Sequence, residues 1–563
     1  TNRNRKYIGV TINSNSSIDR VLKWPDWQYE YGQGNLNTNK NGELYYSYGL
    51  TEDGAGTSGT SSAFGPKFEG QMYFQYDPET YKAGTERTLW RPYKDNRKDF
   101  WRTGYTLTNS IAIDGGNDQS SMRLSMTYTK NEWIMPNTGF KRLTVAGSAQ
   151  RQFTDKLRAA MKVNYTRRTS DNLPATGYNN QSMSYFMIFQ NPNVDLNWLK
   201  PIWKKGQEQV AQIRPFSSYI DNPYLIAYEC LNPTEKNGVV AMASVTYEFS
   251  SKFMLMVRSG IDFSNDNRET IRPYGMANFP KGYYKQQNVF SFENNTDFLF
   301  TYRDQISSRF NVSVSVGANR MDSKYRMYQG YVKDLITPGI YKLSNGVTSP
   351  IMNTVYRNKR VNSVYAAATL SYDNKIFLDV TGRNDWSSTL PAKNNSFFYP
   401  SVSSSFILNE LFSLPKVVSF AKLRASFAQV GNDTEPYKTA KYYGTSEFPG
   451  SASVPTTLHN VDFKPEIQQS FEVGLYYRMF KNRVGIDVAF YNNITRNQIL
   501  DVPLDPTTGY TKATMNAGKV RNRGVELELN GKPVQTQHFT WNCNFTWAKN
   551  YNRIMALSEG MDE

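Results

Sequence analysis

Apolar and polar residues alternate along much of the chain. Phe471, Val473, Leu475, Tyr477 and Met479 are interleaved with Glu472, Gly474, Tyr476 and Arg478, a period of two that predicts a strand with one apolar and one polar face. Phe480 to Arg483 reverse the chain. Val484, Ile486, Val488 and Phe490 then alternate with Gly485, Asp487, Ala489 and Tyr491. Pairing Met479 with Val484 puts every apolar side chain of both strands on the same face, so the pattern predicts a long hairpin of defined register.

The same pattern recurs from end to end. Ile8, Val10 and Ile12 share a face from Lys6 onward. Leu255, Val257, Ile261 and Phe263 alternate with Met256, Arg258, Gly260 and Asp262, and Phe310, Val312, Val314 and Val316 with Arg309, Asn311, Ser313 and Ser315. Phe539, Trp541, Cys543, Phe545 and Trp547 alternate with Thr540, Asn542, Asn544 and Thr546. Counting such runs gives about 18–20 strands, more than an ordinary open sheet holds.

The links between strands alternate in length. Tight turns are predicted at GGNDQSS near Gly115, at 153–157, 249–253, 303–307, 372–376, 480–483 and 532–539. Long loops are predicted near 167–238, 264–290, 318–361, 384–399, 431–467 and 494–521, and the link from Asn409 to Ala421 is the extended member of the short set, with a helical turn. In an up-and-down meander successive links fall on opposite ends, so short turns gather on one side and long loops on the other. Outer-membrane barrels have that asymmetry, and a soluble sandwich has no reason for it. The expected fold is therefore all-β: a large transmembrane antiparallel up-and-down barrel, with its apolar face toward lipid and its Ser, Thr, Asn, Gly and charged face toward a wide wet lumen. Aromatics beside the short turns, Phe153, Phe249, Phe253, Tyr302, Tyr372 and Phe539, suit an interfacial girdle.

Composition narrows the chemistry. No run of about 18 apolar residues occurs, so a membrane-crossing helix is excluded, while barrel strands of about 9–11 residues remain open. Two cysteines, Cys230 and Cys543, exclude a disulfide framework, and two histidines, His459 and His538, leave little for zinc or for Ser-His-Asp catalysis. No cofactor and no enzymatic activity are expected. The net charge of +16 comes from Lys and Arg scattered over strands and loops rather than a stripe, which argues against nucleic acid and leaves an acidic ligand or lipopolysaccharide phosphates open. The oxygen-rich runs Ser264 to Glu269 and Gly431 to Glu435 lack the spacing of a calcium loop and read as solvated segments. The Gly/Ser-rich stretch from Asp53 to Gln71 reads as a flexible loop. Trp386, Phe398 and Tyr399 are the candidate ligand-contacting aromatics of an extracellular mouth.

Several segments resemble the SusC family of TonB-dependent outer-membrane transporters. They are YGQGN (Tyr31 to Asn35), FGPKFEGQ (Phe64 to Gln71), WRPYKDN (Trp90 to Asn96), the run from Gly382 to Glu410, KLRASFAQVGN (Lys422 to Asn432), the run from Phe463 to Arg483, and NAGKVRNRGVELELNG (Asn516 to Gly531). The resemblance implies a 22-stranded barrel that imports oligosaccharides or oligopeptides, closed by a SusD-type surface lipoprotein lid, energised through TonB, and often arranged as a dimer of transporter–lid pairs. It also implies that residues 1–563 are a barrel part lacking the N-terminal plug, with its TonB-contact segment, and the closing C-terminal strands. Two other readings share some of these features: a passive porin-type channel, and a soluble or surface glycan-binding β-protein whose apolar faces would pack on each other.

Overall fold

A computed structural model describes residues 7–48, 62–77, 82–214, 220–445, 448 and 450–557. Seventeen strands form one antiparallel sheet in chain order. They are β1 (Tyr7–Asp19), β2 (Gly104–Gly116), β3 (Ser120–Glu132), β4 (Gly139–Gln152), β5 (Leu157–Ser170), β6 (Thr234–Glu248), β7 (Phe253–Tyr274), β8 (Lys281–Ser307) and β9 (Phe310–Lys333). The rest are β10 (Ile351–Tyr372), β11 (Ile376–Ser387), β12 (Ser396–Ile407), β13 (Val418–Asn432), β14 (Glu466–Met479), β15 (Val484–Arg496), β16 (Lys519–Gln535) and β17 (Thr540–Ala556). Each pairs with the next in sequence. The sequence pattern suggested one to three strands more than this sheet contains, and further strand pairs do occur, but in the loops: Met72–Asp77 with Lys82–Leu89, and Ile499–Pro503 with Lys512–Asn516.

The longest links gather at one end as expected, but the alternation is not strict, since 133–138, 275–280 and 388–395 at that end are shorter than 408–417 at the other. One end of the sheet carries tight turns such as 153–156, 308–309 and 373–375, plus 408–417, which begins with the helical turn Leu408–Leu411. The other carries 20–103, 171–233, 334–350, 433–465 and 497–518, with shorter links at 133–138, 275–280 and 388–395. Asp373 and Asn374 both take positive φ, the twist-matched geometry of a two-residue hairpin turn. Met479 pairs with Val484.

Two predicted loops are mainly strand. Residues 264–290 continue β7 to Tyr274 and begin β8 at Lys281; 318–361 continue β9 to Lys333 and begin β10 at Ile351. These strands have 22, 27, 24 and 22 residues, about twice what crosses a bilayer. Beyond the bilayer both faces meet water, so the hydropathy alternation fades while backbone pairing continues, as in Asn265 with Phe290 and Arg326 with Tyr356.

Apolar side chains form a belt on one face of the sheet. Ile12 faces Ile111, Val145 faces Tyr165, Phe300 faces Val316, and Leu529 faces Phe545, all on that side. The belt is exposed: Ile12 keeps 77 % of its surface, Val316 56 %, Phe545 56 %, and Leu475 and Val488 38 % each. No dry core covers it among the described residues, whereas the opposite face is filled by polar side chains bonded to one another. This is the arrangement of a sheet with hydrocarbon outside and water inside.

Candidate functional site

The inner face is a lattice of charge-assisted hydrogen bonds. On β7 Arg258 Nη2 donates to Asp297 Oδ2 of β8 at 2.8 Å, and Tyr365 of β10 donates its hydroxyl to Asp297 Oδ1 at 2.5 Å. Between them runs β9, where Gly317 pairs with Tyr365; a Cβ there would stand 2.3 Å from Tyr365 Cζ. The missing side chain therefore lets a tyrosine lie flat over one strand and bond the next. Arg424 of β13 does the same over Gly474 of β14, reaching Asp487 Oδ1 of β15 at 2.9 Å, with Glu472 Oε1 at 3.5 Å. Tyr491 likewise lies against Gly524 and donates to Asn550 Oδ1 at 3.1 Å.

The lattice continues around the wall. The Arg383 guanidinium sits 5.7 Å from the Tyr365 ring centre, and Arg383 donates to Ser363 Oγ and Asp385 Oδ1, each at 2.7 Å. Tyr399 completes it, donating to Asp385 Oδ2 at 2.6 Å. Nearer the long-loop end Lys359 Nζ lies 2.5 Å from Asp433 Oδ1, and Ser387 also bonds that carboxylate. The wall thus presents carboxylates, guanidinium groups and phenols, groups that exchange hydrogen bonds with polar ligands.

The three aromatics singled out from the sequence do not come together. Trp386 and Phe398 lie on the outer face with Val380 and Val402, while Tyr399 is on the inner face. Phe397, two residues before Tyr399 and stacked on it at 6.0 Å, packs with Leu390 and Phe463 in a buried cluster. Asp297, Tyr365 and Arg383 were missed by sequence reasoning. Parity along each strand could have placed them inward, but their partnerships depend on registers set far away in sequence. The two oxygen-rich runs are engaged by protein groups: Asp266 accepts from Thr234 and Arg268, and Asp433 is held as above.

Over the long-loop end, the described residues of 171–233 fold around an apolar core. Phe186, Leu196, Leu199, Ile213, Leu225 and Ile226 are buried there with Phe100 and Met276. The helix Pro223–Tyr228 starts on Asn222, whose side chain accepts from Tyr224 N at 2.9 Å, with proline at the first helical position. Beside it the buried Asp221 carboxylate accepts from Gln212 Nε2 (2.7 Å), Ala277 N (2.9 Å) and Asn180 Nδ2 (3.0 Å). Burial pushes its pKa up, and the Ala277 amide and Gln212 only partly oppose that.

Loop 20–103 docks on this unit through Gln33 N to Asn193 Oδ1 (2.9 Å) and Tyr93 N to Pro192 O (2.7 Å). Within it the first three family-like motifs meet. Gly32 N bonds Pro66 O at 3.3 Å, Gly65 N bonds Gly32 O at 3.0 Å, and the fully buried Trp90 donates Nε1–H to Pro66 O at 3.0 Å. Residues 62–71 of the Gly/Ser-rich stretch are therefore packed backbone to backbone against 31–35, contrary to the flexible loop expected, because glycines allow that approach. Residues 53–61 lie outside the described residues.

Residues 209–561 match the family model described as TonB dependent receptor-like, beta-barrel. The chain is 22 % identical over 504 residues to TonB-dependent receptor P3 of Formosa agariphila, covering 87 % of this chain and 49 % of that protein. It is 23 % identical over 519 residues to TonB-dependent receptor SusC of Bacteroides thetaiotaomicron, covering 85 % and 49 %. Among solved structures, the RagAB peptide importer in its open-open state superposes with a TM-score of 0.76 at 18 % identity, covering 99 % of this chain and 62 % of that one. At that identity the superposition speaks for the fold alone. The chain spans about half the length of the curated relatives it matches.

Proposed function

Because the chain belongs to the TonB-dependent receptor-like β-barrel family, whose members sit in the outer membrane, we propose that it supplies most of the wall and the extracellular mouth of an energy-coupled importer of large polar nutrients, oligopeptides or oligosaccharides. The observation that carries this reading is the inner-face lattice running from Arg258 to Tyr399, set beneath a structured cap and backed by an apolar belt. Carboxylates, guanidinium groups and phenols can exchange hydrogen bonds with a peptide backbone or with sugar hydroxyls without binding either too tightly to release. RagAB, which shares the fold, is a peptide importer, and SusC is a TonB-dependent receptor.

In this reading residues 1–563 are the barrel part of a longer importer, and a plug and further strands complete it. A SusD-type surface lipoprotein closes over the loops 20–103 and 171–233, TonB supplies energy through the plug, and transporter–lid pairs assemble as dimers in a membrane of phospholipid and lipopolysaccharide. Of the three aromatics, Tyr399 faces the ligand path. Trp386 and Phe398, on the other side of the sheet, suit the girdle at the membrane surface.

The test uses the full-length protein, tagged and extracted from outer membranes in mild detergent. A surface lipoprotein should co-purify, and deletion of the gene should abolish growth on one class of oligomer in a TonB-dependent manner. Uptake that persists without TonB would indicate a passive pore and contradict the proposal.

A further inference from the structure

Just above the apolar belt, the outer face of β8, β9 and β10 changes character. On β9 the outward positions Phe310, Val312, Val314, Val316 and Ala318 span about the nine residues that cross a bilayer, and the next four are Arg320, Asp322, Lys324 and Arg326. Arg360 of β10 stands opposite Asp322. All four cations are exposed. Asp322 lies 2.8 Å from Arg320 and 2.6 Å from Arg360, leaving that trio one net positive charge. Lys324 and Arg326 have no ion pair among the described residues. Since the short turns lie at the far end of these strands, this row faces the outer leaflet.

Two further surfaces adjoin it. Phe292 and Phe290 of β8 stand opposite Lys324 and Arg326, and Phe263 meets Phe290 edge-on at 5.5 Å. One pair of positions farther out, a cleft of about 710 Å³ is lined by Asn267, Glu269, Gln286, Asn288, Tyr328 and Met352 among others. Its amides are already organised: Asn288 Nδ2 donates to Asn265 Oδ1 at 2.7 Å and to Asn267 Oδ1 at 2.6 Å. Aromatic rings and unpaired cations therefore stand side by side at one level, and the amide-rich cleft lies directly beyond them.

We propose that this outer face is a seat for a phosphorylated glycolipid of the outer leaflet. The acyl chains lie along Phe298, Phe300 and Val316, the phosphates meet Lys324, Arg326, Arg320 and Arg360 with Phe292 and Phe290 beside them, and the sugars enter the amide cleft beside Tyr328. The assignment rests on the outer-membrane reading above and adds one surface of the barrel and its ligand class. The opposite face of the same strands serves the nutrient path, so the two roles do not compete.

The test is native mass spectrometry of the full-length protein in detergent, titrated separately with bis-phosphorylated lipid A, dephosphorylated lipid A, phosphatidylglycerol and inorganic pyrophosphate. The double variant Lys324→Gln/Arg326→Gln should bind phosphorylated lipid A about 25-fold more weakly, at about fivefold per cation near a charged surface. The parent should bind the dephosphorylated form about as weakly as the variant does. Arg151→Gln/Lys156→Gln, at the short-turn end, removes the same charge and should leave binding unchanged. Each variant's unfolding temperature should match the parent's, so that lost binding is not lost fold. Equal binding by the Lys324/Arg326 variant, equal binding of dephosphorylated lipid A or of phosphatidylglycerol, or displacement by pyrophosphate alone would overturn the assignment. Recovery of the protein outside the outer membrane would instead overturn the reading beneath it.

Discussion

Tyr365 reaches Asp297 across a strand to which neither belongs, over the bare backbone of Gly317. Arg424 reaches Asp487 over Gly474 in the same way. In an antiparallel ladder a side chain ordinarily meets only the adjacent strand. A glycine in the middle strand removes the obstacle, so one bond ties three strands and stiffens the wall where the lumen is wide.

Gly317→Val should expel the Tyr365 ring and strand the Asp297 bond, costing about 3 kcal/mol from overpacking and the lost charged hydrogen bond. Tyr365→Phe, which keeps the ring, should cost about 1.5 kcal/mol. Heat-modified gel mobility of the barrel reads both, and equal unfolding temperatures for the two variants would contradict the bridging role.

Arg424→Met leaves Glu472 and Asp487 facing each other without their shared cation, whereas Asp487→Asn keeps one ion pair. Arg424→Met should therefore be the more destabilising, by about 1–2 kcal/mol in low salt, with the gap narrowing as salt screens the two carboxylates. Urea unfolding in detergent at two ionic strengths checks the order.

The cap should titrate. Asp221 has a folded-state pKa raised by burial, so the folded loop holds that proton more tightly than the unfolded chain does. Its packing is then strongest below the unfolded carboxyl value of about 3.9, weakens as pH rises from there through the raised folded value, and levels off above it. Hydrogen exchange of residues 171–233 should follow that course and lose it in Asp221→Asn.

Trp90→Ala should cost about 3–5 kcal/mol locally, since the buried ring holds the 31–35 and 62–71 segments together. The expected signature is rapid protease cleavage within 20–103 on intact cells, with an unchanged amount of barrel in the outer membrane. A barrel that fails to assemble would place Trp90 in the folding core instead.

Much of the wall was legible in the sequence because hydropathy with a period of two records which side of a strand meets lipid. The Met479 to Val484 register followed from that and from a four-residue turn alone. Legibility stopped where the bilayer stops. From Ser264 to Glu269 both faces are wet, so a paired strand read as a loop. The inner lattice was illegible for another reason: Asp297 and Tyr365 are 68 residues apart, and their meeting depends on an intervening glycine and two registers. The mouth aromatics were grouped by their proximity in sequence, which does not put them on one face. Phe398 and Tyr399 are neighbours in the chain and therefore sit on opposite faces of β12.

The central claim is that hydrocarbon lies against one face of this sheet and water against the other. Spin labels placed singly at Glu472, Val473, Gly474, Leu475, Asp487 and Val488 of the full-length protein in liposomes report it through accessibility to oxygen and to a water-soluble nickel chelate. Labels at Val473, Leu475 and Val488 should favour oxygen, and those at Glu472, Gly474 and Asp487 the chelate. Inverted preferences, or none along the strand, would contradict the account.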